Sequence, residues 1–291
     1  MTAGPTSAAP TVTAVLRACP LAPLEARVLL AHALGWRRTE LITRGGESLD
    51  PNALAAFRML EARRVAGEPI AQIVGVREFY GLEFDVTPDV LIPRPETELL
   101  VETALAAIES IPRPRVLDLG TGSGAIAVAI ASARPDARVW AVDRSGAALA
   151  VAARNAAKLL DPGRPGGPIA WMAGDWYGAL DGASPASPAL QFDIIVTNPP
   201  YIASGDPHLD EGDLRFEPRG ALTDESDGLT AIRSIVLGSG PFLAIGASLW
   251  IEHGYDQAAS VRALLMAAGF ADVRSLQDLA GIERTTGGRR V

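Results

Sequence analysis

The chain has one cysteine, Cys19, and one lysine, Lys158, among 291 residues. A single thiol excludes an intrachain disulfide and a cysteine-rich zinc site, and it fits a reducing compartment. The near absence of lysine reads as a coding bias toward Arg and Ala. Only three histidines occur, His32, His208 and His253. They are too scattered to suggest a metal and read as surface or packing residues, so no metal is expected. Basic residues are in the minority, with 26 Lys and Arg against 34 Asp and Glu for a formal charge of −8. Such a chain is repelled by a phosphate backbone, which argues against broad electrostatic binding to nucleic acid. Long apolar runs are missing as well. The longest in a helical pattern, Ala125 to Ala131, is far short of the ~20 residues of a spanning helix. Met1 to Pro10 has no basic segment followed by an apolar one, the mark of a secretory leader. The expectation is a cytoplasmic protein with a loose N-terminal tail and no membrane partner. What remains is ordinary globular sequence, with 48% apolar and 21% charged residues, which argues against disorder.

The first part reads as helical. Leu24, Val28 and Ala31 recur at helical spacing before Gly35, a stop signal. Asp50-Pro51 pairs a capping residue with a first-turn proline, and Leu54, Phe57 and Leu60 share one side before Gly67. Arg77 to Pro93 alternates apolar and polar residues around Gly81 and Pro88, as a β-hairpin does. From Thr97 onward strands and helices alternate. Strands are expected at Val116–Leu119, Val139–Val142, Phe192–Thr197 and Ser248–Glu252, with Val273–Leu276 beginning the last. Helices are expected at Ala125–Ala133, Ala147–Leu160, Leu229–Leu237 and Ala258–Ala268. Such alternation implies right-handed βαβ units and a parallel sheet, an α/β fold. Asp161–Pro168 and Asp181–Pro188, rich in Gly, Pro and Ser, read as surface loops.

Val116-Leu117-Asp118-Leu119-Gly120-Thr121-Gly122-Ser123-Gly124 carries a strand into glycines and then a helix. Glycines permit a tight turn and close approach of a ligand to the backbone. Asp143 ends the next strand, where a carboxylate suits the two hydroxyls of a ribose. Gly120-x-Gly122-x-x-Ala125 also satisfies the nicotinamide fingerprint, so a dehydrogenase stays open. The series Asp118-x-Gly120-x-Gly122-x-Gly124 is similar to motif I of class I S-adenosylmethionine-dependent methyltransferases and tilts the reading toward a methyl donor.

Asn198-Pro199-Pro200-Tyr201 follows the strand Phe192–Thr197 and faces the same crevice as the glycine loop. A planar NH2 group is a poor nucleophile because its lone pair is delocalised. The Asn198 side-chain oxygen can accept one N–H and a carbonyl of the Pro-Pro stretch the other, which pins the nitrogen against the donor. The prolines stiffen the loop, and Tyr201 offers a ring to the flat group. Such a tetrad reads a planar nitrogen without saying which. N6-adenine DNA methyltransferases carry a similar motif, but they need basic surface. Here the only adjacent basic pairs are Arg37-Arg38, Arg63-Arg64 and Arg289-Arg290. A protein substrate is the better reading.

Taken together, these segments resemble the peptide chain release factor N5-glutamine methyltransferases (the PrmC/HemK family). The resemblance includes Gly67-Glu68-Pro69, Glu78-Phe79-Tyr80-Gly81 and Ile92-Pro93-Arg94-Pro95-Glu96-Thr97-Glu98. It runs on through the glycine loop, Asp143, Asp175-Trp176, Asn198 to Tyr201, Phe216-Glu217-Pro218 and Glu252-His253-Gly254. It implies an N-terminal helical domain for factor recognition over residues 1–73, a β-hairpin linker over 74–95 and a methyltransferase domain over 96–291. The last would be a Rossmann-like, mostly parallel seven-stranded sheet. It further implies methyl transfer from S-adenosyl-L-methionine, leaving S-adenosyl-L-homocysteine, to the glutamine of the Gly-Gly-Gln motif of class 1 release factors, by a monomer. Gly120, Thr121, Gly122, Ser123 and Gly124 would line the donor with Asn198, Asp143 would take its ribose, and Trp176 would lie near its adenine. Asn198, Pro199, Pro200 and Tyr201 would hold the glutamine amide. Rivals are a ribosomal-protein glutamine methyltransferase, the DNA adenine enzyme, the dehydrogenase and a non-catalytic nucleoside-binding module. Two departures, Gln72 and Thr223-Asp224-Glu225-Ser226, bear on partner contacts more than on catalysis. Arg94 and Glu96 are either shapers of the pocket or an exposed ion pair, and Glu252 either faces the crevice or simply ends a strand.

Overall fold

The computed structural model describes residues 9–180 and 190–291. Most of the N-terminal tail and the loop expected over Asp181–Pro188 lie outside the described residues. The chain divides into two compact units, Met1–Gly75 and Val76–Val291.

The first unit holds α1 (Val12–Ala18), α2 (Pro23–Leu34), α3 (Arg38–Thr43), α4 (Pro51–Val65) and α5 (Ile70–Val74). Its helix ends are set by the residues that signalled them. The Asp50 carboxylate accepts from the Asn52 and Ala53 amides at 2.8 and 3.3 Å. Gly35 closes α2 in the left-handed conformation, φ +64°, which costs a residue with a Cβ more than it costs glycine. Val12, Val15, Leu29, Leu30, Leu41 and Phe57 form its core.

The second unit begins with a short hairpin, β1 (Val76–Phe79) and β2 (Leu82–Asp85). It ends earlier than the Arg77–Pro93 pattern suggests. Past Asp85 the chain runs in turns and irregular backbone, where Pro88 and Pro93 cannot donate to a ladder. There follow α6 (Glu98–Ala107), β3 (Arg115–Leu119), α7 (Ala125–Ala133), β4 (Arg138–Asp143), α8 (Gly146–Leu159), β5 (Ala170–Ala173) and β6 (Phe192–Thr197). Next come α9 (Arg219–Leu222), α10 (Thr230–Gly238), β7 (Leu243–Glu252), α11 (Ala258–Ala267), β8 (Phe270–Gln277) and β9 (Glu283–Arg290). Seven strands form one sheet in the order β5-β4-β3-β6-β7-β9-β8. β9 runs antiparallel to β7 and β8 while the other pairs are parallel.

Sequence pattern missed two strands. β5, only four residues long, has no fully buried position. β9, Glu-Arg-Thr-Thr-Gly-Gly-Arg-Arg, has no apolar residue to betray it, so Val273–Leu276 belongs to the penultimate strand rather than the last. Gly287 is admitted there because a Cβ would come 2.3 Å from the Trp250 ring.

α6 and α7 pack with the hairpin on one face of the sheet, and α10 and α11 cover the other. α8 is held to the hairpin through Asn155, which is fully buried. Its Oδ1 accepts from the Asp85 amide at 2.7 Å, and its Nδ2 donates to the carbonyls of Asp85 and Ser123 at 3.0 and 2.9 Å. One amide thus satisfies three backbone groups joining the hairpin, α8 and the glycine loop. Beside it, Lys158 pairs with Asp85 at 2.7 Å and Glu83 at 3.4 Å. β3 and β6 lie side by side with their crossovers on opposite faces. Their C-terminal ends therefore open into the crevice where ligands of such sheets bind.

Candidate active site

A cleft of about 430 Å3 opens at these strand ends, within the range of small-molecule sites. Gly120 and Gly122 after β3, Asp143 at the end of β4, Trp176 after β5, and Asn198 and Pro200 after β6 line it. Four strand ends thus converge on one hollow.

The turn after β3 is built by its own backbone. The Gly120 and Thr121 amides both donate to the Val142 carbonyl at 2.9 Å. Gly120, Gly122 and Gly124 have φ of +72, +55 and +82°, a region costly for residues with a Cβ. Asp143 accepts from the Gly122 amide at 2.8 Å and from the Ser145 amide at 2.8 Å. Two backbone donors aim this carboxylate, with lone pairs left over for a diol. Trp176 has φ +44°, a strained value for so large a residue. Its ring lies where a Cβ on Gly120 would meet it at 3.4 Å, which leaves glycine room for the indole.

Other residues of the loop do not line the cleft. Thr121 is buried, and its hydroxyl donates to the Asp118 carboxyl at 2.6 Å. Burial pushes Asp118 up to about 7, the Thr121 bond opposing. The Ser123 side chain is also buried, and its carbonyl accepts from Asn155. Gly124 faces α8, where a Cβ would sit 3.0 Å from the Ala152 Cβ. It serves helix packing, so the third glycine of the series is structural. Pro199 and Tyr201 likewise lie off the cleft wall. Tyr201 packs among the apolar residues below α10 and α11, and burial raises its phenol. Its carbonyl accepts from Gln257 Nε2 at 2.9 Å. Tyr201 is therefore fixed on both its ring and its backbone, and it buttresses the tetrad.

Asn198 has defined surroundings. Its Nδ2 donates to the Thr97 hydroxyl at 3.1 Å. Behind both lies Glu252, at the end of β7 and 2% exposed. Burial pushes its carboxyl up to about 7, opposed by hydrogen bonding from Thr97 and Asn198. Its Oε2 has no hydrogen-bond partner. Glu252 therefore faces inward toward Asn198 and is not an ordinary strand-end carboxylate.

Arg94 does not pair with Glu96. It pairs with Glu217, whose side chain is fully buried. Glu217 also accepts from the Ile92 amide at 2.8 Å. The pair ties the segment before α6 to Pro218 and its neighbours, and both segments line the cleft. The departure Thr223–Ser226 is part of the same wall, since Thr223, Asp224 and Glu225 face the cleft. Asp224 is held there by accepting from the Ser226, Gly228 and Thr230 amides. This departure, expected to bear on partner contacts more than on catalysis, lies in the cleft wall. Gln72, in the first unit, is buried. His253 is a packing residue, bonded through Nε2 to Thr286 Oγ1 at 2.7 Å. Among the described residues no group of three or more His, Cys, Asp or Glu could hold a metal. Among the described residues no helix is long and apolar enough to cross a membrane.

Sequence reasoning missed Thr97, Asn155 and Glu217 as single residues. Thr97 and Glu217 lay inside the segments that carry the resemblance, the one signal available for them.

The family model of the PrmC N-terminal domain matches residues 11–75, and that of the methyltransferase small domain matches residues 95–211. A release factor glutamine methyltransferase of Burkholderia pseudomallei (strain K96243) is 68% identical over 279 residues, 96% of this chain and 96% of its own. That of Escherichia coli (strain K12) is 44% identical over 265 residues, 91% of each chain. Among solved structures, a 16S rRNA N2 methyltransferase from T. thermophilus in complex with AdoMet and guanosine aligns with a TM-score of 0.51 at 19% identity. The alignment covers 74% of this chain and 50% of that one, a likeness of fold. With a methyltransferase sheet behind the cleft and relatives of this identity along nearly the whole length, the chain belongs to the release factor glutamine methyltransferase family.

Proposed function

We infer that the chain transfers a methyl group from S-adenosyl-L-methionine to the side-chain amide nitrogen of the glutamine in the Gly-Gly-Gln motif of class 1 release factors. The observation that carries the reading is Asn198, a planar amide fixed at the mouth of β6 beside a nucleoside-sized cleft. Relatives named methyltransferases displace the nicotinamide reading of the glycine loop.

The residues present fit such a donor. Asp143, already aimed by two amides, would take the ribose hydroxyls, Trp176 would pack on the adenine, and Gly120 and Gly122 would let both approach the backbone. When bound, the donor supplies a methyl carbon made electrophilic by a neighbouring sulfonium and departs as S-adenosyl-L-homocysteine. The protein's work is positioning. Asn198 Oδ1 accepts one N–H of the glutamine amide and a carbonyl of the Pro199-Pro200 stretch the other. Both bonds favour the tetrahedral character that nitrogen acquires as it attacks. The surplus proton leaves to water. The stiff Pro199-Pro200 pair and the buried Tyr201 hold these acceptors in place. The N-terminal helical unit is proposed to recognise the factor.

The direct test is incubation of the purified protein with a class 1 release factor and labelled donor, followed by peptide mass. A gain of one methyl on the glutamine of the Gly-Gly-Gln loop supports the reading. Label on a ribosomal protein, or none on the factor, would replace it. Asp143→Ala is expected to weaken donor binding by about tenfold to a hundredfold, because two charge-assisted bonds are lost. Calorimetry of the donor checks this, and unchanged affinity would remove Asp143 from the donor site.

A further inference from the structure

We propose that Glu252 and Thr97 are positioning residues that set the polarity of the Asn198 side chain, holding its NH2 inward so that its oxygen alone faces the cleft. This rests on the reading of Asn198 as the acceptor for the substrate amide. An asparagine amide is nearly symmetric in shape, and a half-turn about its last bond exchanges acceptor for donor. In the wrong orientation the NH2 group would face the NH2 of the substrate, donor against donor. Something must therefore fix the choice.

The surroundings of Asn198 do so. Its Nδ2 is 3.1 Å from the Thr97 hydroxyl. That hydroxyl and the Asn198 side chain both lie close enough to the Glu252 carboxyl to favour its charged form. Above about pH 7 that carboxyl is ionised and only accepts. Thr97 must therefore turn its proton to Glu252 and its lone pair to Asn198. Both neighbours then demand that Asn198 present its NH2 to them. The arrangement is directional, running from Asn198 through its bond to Thr97 and on toward the Glu252 carboxyl. It also explains a feature the chemistry otherwise leaves idle, a fully buried carboxyl with an unpartnered oxygen at the end of β7. The parts are brought together from far apart, Thr97 at the entry to α6 and Asn198 101 residues later.

What the site requires of Glu252 is an acceptor, not a charge. A glutamine there can offer its carbonyl oxygen, while a leucine cannot. At pH 8, Glu252→Leu is expected to lower kcat about tenfold to a hundredfold, with the donor KM changed by less than about twofold. Glu252→Gln and Thr97→Ser should stay within about threefold of wild type. A second readout is independent of turnover. In 15N spectra the Asn198 side-chain NH2 should be protected from exchange in wild type and Glu252→Gln, and unprotected in Glu252→Leu. If Glu252→Leu does not fold, Thr97→Ala against Thr97→Ser makes the same comparison. Wild-type kcat in Glu252→Leu would overturn the inference, as would a Glu252→Gln as slow as Glu252→Leu. Failure of the wild-type protein to methylate the factor would sink the proposed substrate instead, leaving the amide protection to decide the orientation.

Discussion

Asn198→Ala is expected to lower the rate of methyl transfer by about a hundred- to a thousandfold, the cost of one preorganised acceptor at a reacting centre, while donor affinity moves only a few-fold. The split follows from where the groups sit. The cleft positions proposed to hold the donor come from the ends of β3, β4 and β5, at Gly120, Gly122, Asp143 and Trp176. Asn198 comes from β6, on the far side of the switch point. Removing its side chain leaves the glycine turn intact, because Gly120 and Thr121 are bonded to Val142 and not to Asn198. What disappears is the acceptor for the substrate N–H. The lone pair of the glutamine nitrogen then stays in the amide system, and the nitrogen is no longer held on line. Single-turnover rates with a release factor, beside calorimetry of the donor, separate the two quantities. Full activity would remove Asn198 from the chemistry. A loss of donor binding as large as the loss of rate would make it a donor ligand.

A second large effect concerns stability against pH. Asp118 and Glu252 are both buried, and both are pushed up to about 7 from ordinary values near 4. Glu217 is also raised by burial. Between pH about 4 and about 7 the native protein retains protons on Asp118 and Glu252 that the unfolded chain has already released. Their contribution to stability is therefore complete below the unfolded value and is lost as pH rises through the folded one. The slope is up to about 1.4 kcal/mol per pH unit for each group. Asp136 is opposite in sign. Held down to about 2 by Arg134, it favours the native state above its unfolded value and matters only in stronger acid. Denaturant unfolding should thus show a more stable protein at pH 5 than at pH 8. Glu252→Gln, neutral throughout, should flatten that fall and be more stable than wild type at pH 8, with little difference at pH 5. Identical slopes in the two proteins would mean that Glu252 does not bury its proton.

Much of this was legible in the chain, and the limits have physical causes. Gly120, Gly122 and Asp143 declare themselves because turn geometry and strand-end chemistry are local, set within a few residues. Asn198-Pro199-Pro200-Tyr201 is legible for the same reason. Pattern alone overreached at Gly124. A glycine that must meet Ala152 and one that must meet a ligand look the same in sequence. It fell short at Thr97, Glu217 and Glu252, whose roles depend on partners 101 to 125 residues away or on burial. β9 was invisible because it carries no apolar residue; its place comes from pairing with β7 and β8 and from the close approach of Gly287 to Trp250 and Gly288 to Val273.

The lone lysine has a practical consequence. Lys158 lies on α8 against the hairpin carboxylates of Glu83 and Asp85, and it is not among the residues that line the cleft. Its ammonium is stabilised by Asp85 and then Glu83, so its pKa is raised, and the neutral, nucleophilic form is scarce at moderate pH. Amine-reactive dyes, biotin esters and activated resins therefore meet a single side chain, and a slow one. Once the chain's α-amino group is blocked, they would mark every molecule at the same place on its surface, given time and alkaline buffer. A population tethered through Lys158 would be uniformly oriented, with the cleft left free to the medium.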